Sequence, residues 1–182
     1  MPTFDFQDGN GLVPAHQHPN GGGWVADTAT IANIACVGPD AKVYGNARVF
    51  GDALIYGNAR VFGYTRVYGN AQIFENARVF ENALVYGNAL VYGNVEVYGD
   101  AEVYGDAEVY GNARVYGDAW VSGNAVVSGN MKLSSNSKNV SSNEQEIATP
   151  VANKDYPHLC PNCKSPAYIG FAKIDCSNNC GT

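Results

Sequence analysis

A chain of 182 residues with a formal net charge of -6 has room for one domain and a small appendage. The acidic balance disfavours nonspecific binding to nucleic acid or to an anionic membrane surface. No apolar run approaches the ~20 residues that span a bilayer, and the opening MPTFDFQDGN is too acidic and polar for a secretory leader.

Residues 1–24 are rich in Gly, Pro and Asn and lack periodicity, so they read as an N-terminal arm or cap. His16 and His18 lie in this arm as an HxH pair. They are either surface histidines in a turn or, where three chains meet on a threefold axis, six imidazoles around a second metal. Trp24, just before the first repeat, is expected to cover the open apolar end of the repeat array.

From Val25 to Leu133 an aliphatic residue recurs every six positions without a slip. Four residues after each comes a small one, nearly always Ala as at Ala29, Ala35 and Ala41, broken only at Thr65, Val95 and Met131. A turn dipeptide, usually Gly-Asn or Gly-Asp, stands between them. A period of six fits neither a helix nor a simple alternating strand, and it predicts a solenoid. Each hexad then supplies a short strand with two inward positions, the aliphatic and the small residue. Gly and the Asn or Asp turn the corner, because both tolerate left-handed backbone angles cheaply.

The hexads VYGNAR, VFGDAL and IYGNAR, which run from Val43 to Arg60, resemble hexapeptide repeats of the left-handed parallel β-helix. The resemblance covers residues 25–133. It implies an all-β fold in which three hexads close one triangular coil of 18 residues, about six coils in all. One departure stands out: an aromatic separates the aliphatic residue from the Gly that usually follows it directly.

Such coils sort the outward residues into three columns. The first carries Lys42, Arg60, Arg78, Glu96 and Arg114, and the second Arg48, Arg66, Leu84, Glu102 and Trp120. The third carries Cys36, Leu54 and Tyr56, Gln72 and Phe74, Leu90 and Tyr92, Glu108 and Tyr110, then Val126, with no basic residue. An apolar strip of that kind is expected to leave water. The third face is therefore expected to form a homotrimer around a threefold axis, as in most proteins of this fold; the alternative is that stacked aromatics shield all three faces alike. Rings repeated one strand apart can stack, either stiffening the rod or offering a strip to a sugar or a partner. Asn58, Asn76, Asn94, Asn112 and Asn130 share one corner, and stacked amides can hydrogen-bond up the axis where carboxylates would repel. Basic residues from Lys42 to Arg78 precede an acidic belt from Glu96 to Glu108, which is either a solvated surface or a docking pattern for a neighbour.

Residues 134–155, dominated by Ser, Asn, Lys and Glu, read as a flexible linker. Residues 156–182 hold Cys160-x2-Cys163 and Cys176-x3-Cys180. Two close pairs of thiols suit tetrahedral Zn2+, with a closed, structural coordination shell; an oxidised pairing is the alternative. This segment resembles a zinc ribbon, although its second pair is one residue wider than usual.

Acyltransferases and γ-type carbonic anhydrases share the hexapeptide fold and work through histidines on the coils or on inserted loops. Here the histidines are His16, His18 and His158, none lies between Val25 and Leu133, and no loop interrupts a hexad. No catalytic residue is expected. The combination of rod, arm and tethered zinc module resembles small structural proteins encoded by tailed bacteriophages. That implies a virion component assembled in the bacterial cytoplasm, gripping capsid or tail proteins, with no nucleic acid or membrane as partner. A bacterial polymer-forming scaffold and a degenerate hexapeptide acyltransferase are the alternatives.

Overall fold

The computed structural model describes residues 1–134. The linker beyond Ser134 and the cysteine module at 156–182 lie outside the described residues. Three strands open the chain: β1 (Thr3–Asp5), β2 (Leu12–Gln17) and β3 (Trp24–Ala26). Eighteen two-residue strands come after them at six-residue spacing, from β4 (Thr30–Ile31) and β5 (Cys36–Val37) to β19 (Trp120–Val121), β20 (Val126–Val127) and β21 (Lys132–Leu133). None of the described residues is helical.

Among the described residues, each short strand up to β18 pairs in parallel with the strand eighteen positions on, as Val43 with Val61, Val49 with Val67 and Ile55 with Ile73. Three hexads thus make one turn, and about six turns stack into a parallel β-solenoid with three flat sheets. Alternation explains which residues go inside. In Ala-x-Val-x, side chains point to opposite sides of the strand in turn, so Ala and Val face inward while Arg48 and Phe50, for example, face outward. The inward valines, isoleucines and alanines form one continuous core from Val25 to Leu133. A one-residue slip would drive Arg48 and Arg66 into that core, which pins the register. Thr65, in an alanine position, is fully buried and its hydroxyl donates to the Phe62 carbonyl, so the exception leaves no unsatisfied group.

Backbone hydrogen bonds run along the axis from each coil to the next. Lys42 N–H donates to Ala59 O at 3.0 Å, Tyr44 N–H to Val61 O at 3.0 Å and Asn46 N–H to Gly63 O at 2.8 Å. The corners come close enough that glycine is needed twice over. Gly93 has φ +85°, and a Cβ there would lie 2.7 Å from Gly111 O. Glu75 and Glu81 occupy the same corner position at φ 60°. The Glu81 carboxylate accepts the Gly99 N–H at 2.8 Å, a bond that offsets part of the left-handed cost.

Residues 1–24 are built onto the rod. β1 pairs antiparallel with β2, and β2 antiparallel with β3, so the first sheet grows to nine strands. The glycine run crosses the end of the third sheet: Gly23 N–H donates to Val37 O and Val37 N–H to Asn20 O, each at 2.9 Å. Trp24, expected over the open end, lies instead on the outside of the first face, in register with Lys42 and stacked on Phe4 at 4.4 Å. Alternation is the reason: Val25 takes the inward position, so its neighbour must point out. Ala26 stands where later coils carry an aromatic, and buried Phe6 fills the gap by stacking on Tyr44 at 4.8 Å.

Candidate interaction faces

On the first face, rings climb from Phe6 through Tyr44, Phe62, Phe80 and Tyr98 to Tyr116 with centroids 4.8–5.3 Å apart. The spacing is that of stacked strands, so each ring rests on the next. Beside this ladder, Glu96 sits between two arginines, 3.2 Å from Arg78 and 3.0 Å from Arg114. Arg78 also lies over the Phe62 and Phe80 rings, and Lys42 over Phe4. Burial, with Arg60 close by, pulls the Lys42 ammonium below its ordinary pKa. Two of the basic residues on this face, Arg78 and Arg114, are thus paired within the chain.

The second face is different. Arg48 and Arg66 are adjacent in register, and both are exposed. Leu84 comes next, then Glu102, then Trp120. Tyr68, Tyr86 and Tyr104 stack at 4.8 Å beside them. Tyr86 Oη donates to Glu102 Oε2 at 3.2 Å, and burial together with that carboxylate pushes the phenol up to about 12. Burial, then the same carboxylate, also raises Tyr68.

On the third face, Leu54, Tyr56, Gln72 and Leu90 are half-buried, Phe74 and Tyr92 are buried, and Val126 is exposed. Tyr56, Phe74, Tyr92 and Tyr110 form the ring ladder, with centroids 4.7–5.3 Å apart. The Tyr92 hydroxyl donates to the Glu108 carboxylate. The structure thus brings the seven expected interface residues onto one sheet, with Leu54, Leu90 and Val126 as its accessible apolar contribution. At the corner beside it, Asn58, Asn76, Asn94, Asn112 and Asn130 are joined amide to amide at 3.1–3.3 Å.

His16 and His18 have separate surroundings. Exposed His16 places Nδ1 2.8 Å from Asp27 Oδ1. His18 is buried, with Nδ1 at the Asn20 backbone and Nε2 without a protein partner. Among the described residues, no three His, Cys, Asp or Glu side chains cluster as a metal site. Cys160, Cys163, Cys176 and Cys180 lie outside the described residues, while buried Cys36 is on the third face beside Gly21.

Two features are not apparent from sequence: Phe6 completing the first ring ladder, and Glu96 bridging two arginines. The 18-residue register holds the signal for the second, since it sets Arg78, Glu96 and Arg114 one above another. Nothing in the periodicity marks Phe6.

The family described as the YdcK beta solenoid repeat matches residues 41–54, 53–69, 71–87 and 107–123, all within the coils. No curated protein and no solved structure matches the chain. Repeat and fold agree: this is a β-helix repeat protein.

Proposed function

We propose that the chain is a non-catalytic structural and docking protein, a rigid homotrimeric rod of left-handed hand that serves as a bacteriophage virion component. In this reading the third face packs around the threefold axis through Leu54, Leu90 and Val126. Cys160, Cys163, Cys176 and Cys180 hold a structural Zn2+ in a ribbon tethered to the rod, which grips a neighbouring capsid or tail protein. The observation that supports the reading is continuity. From Val25 to Val127 the inward column is filled by apolar side chains and one self-satisfied threonine, and no hexad is opened by a loop that could carry a substrate pocket. The ring and amide ladders likewise bond to their own coil-to-coil neighbours, which favours stiffness over turnover.

Native mass together with electron microscopy tests this. Discrete particles whose mass is a multiple of three chains are expected. Long filaments would instead place the protein among polymerising scaffolds, and saturable binding of acetyl-coenzyme A would return it to the transferases.

A further inference from the structure

The three faces are not equally available. The N-terminal hairpin occupies the start of the first face, where Phe6 covers Tyr44 and Phe4 covers Trp24. The glycine run lies beside Cys36 at the start of the third. On the second face Thr30, Arg48, Phe50, Arg66 and Trp120 are exposed, and Leu84 and Glu102 between them are half-buried. Phe50 is 41% and Trp120 46% accessible, which is much apolar area for a side of a rod.

Among the described residues its charges form no ion pair, although Glu102 accepts the Tyr86 hydroxyl. On the first face, arginines one coil from Glu96 pair with it. On the second, Leu84 stands between Arg66 and Glu102. The two are therefore two coils apart, ~10 Å at the usual strand spacing, and form no ion pair with each other. Among the described residues, Arg48 and Arg66 form no ion pair, although like charges side by side on neighbouring strands destabilise a sheet.

We propose that this face binds the same face of a second copy, with the two rods antiparallel and a twofold axis running along the strand direction at Leu84. The column order is self-complementary about that residue. A twofold there places Leu84 against Leu84, Arg66 against the second copy's Glu102, and Arg48 against the second copy's Trp120, a cation over an indole face. Tyr68 then meets the second copy's Tyr104. Parallel rods would put Arg66 beside Arg66 and Glu102 beside Glu102, so charge sets the direction as well as the contact. The surface is separate from the third face.

Sedimentation velocity of the full chain tests this with charge reversal. Arg66→Glu and Glu102→Arg should each weaken self-association about tenfold or more, since two facing pairs become like-charged, and each should at least halve the particle mass. Mixed in equal amounts, the two variants should recover the original mass, because each then presents what the other lacks. Circular dichroism should match the parent chain throughout, showing that the coils stay folded. Unchanged mass in both variants, or folded variants that lose mass and fail to recover it on mixing, would overturn the antiparallel contact. Because only the second face is altered, loss of the third-face trimer by other substitutions leaves this result readable.

Discussion

Replacing Gly93 by alanine asks whether the corners of the solenoid depend on glycine. Two costs arise there. At φ +85° an L-residue sits in the left-handed region, which costs about 1–2 kcal/mol. The new methyl would also lie 2.7 Å from Gly111 O and 2.8 Å from Gly111 N, both backbone atoms of the next coil. Relieving that overlap forces two coils apart, at a cost of about 1–3 kcal/mol on the scale of an overpacked core. Alanine also restricts the unfolded chain, which returns about 0.4–1 kcal/mol. The net destabilisation is about 2–4 kcal/mol. With a urea slope of roughly 2 kcal/mol/M for a domain of this size, the midpoint should fall by about 1–2 M. Gly129 supplies the comparison, because it has φ +66° but, among the described residues, nothing within 4 Å of its Cβ position. Gly129→Ala should therefore bear the backbone term alone, about 1 kcal/mol. Urea titrations followed by circular dichroism read both variants. Equal midpoints for the two would refute the close-approach argument, and a parent-like Gly93→Ala midpoint would refute both terms.

Leu54→Glu combined with Leu90→Glu should dissociate the threefold contact, read as a drop in native mass; an unchanged mass would remove the third face as its site. Elemental analysis should find one zinc per chain, lost in Cys160→Ser/Cys163→Ser, and a metal-free protein in the parent chain would refute the ribbon. Absorbance titration should show Tyr86 ionising near pH 12, returning toward the ordinary tyrosine range in Glu102→Gln. Because its folded pKa lies above the unfolded value, Tyr86 contributes stability that is fully present below about pH 10 and lost as pH rises toward 12. Urea midpoints that stay flat across that window would contradict the raised phenol.

The coils are legible in the sequence because one constraint repeats. Val43, Val61 and Val79 share a column only when 18 residues make a turn, and a single failure of the six-residue period would show as an exposed valine or a buried arginine. The same register exposes the amide ladder from Asn58 to Asn130. The N-terminal segment is not legible for the opposite reason. Phe4, Phe6 and Ala15 are used once each, and their places are fixed by contacts distant in sequence, such as Phe6 over the hole left at Ala26. A large ring ahead of the first repeat suggests a lid, yet strand alternation beside Val25 sends Trp24 outward. The histidines show a further limit. Two residues apart suggests a shared ligand, but β2 ends at Gln17. His18 therefore turns into the buried loop while His16 stays on the strand beside Asp27.

Hydrogen exchange resolved by residue tests the continuous solenoid most directly. The N–H groups of Arg78, Phe80, Leu84, Tyr86, Leu90 and Tyr92 all donate to the next coil in the middle of the rod. They should exchange only through opening of the whole stack, and more slowly than the amides of the terminal coils. Rapid exchange at any one of these central positions would mean that the coils do not template one another, and the rod would fail as an account of this protein.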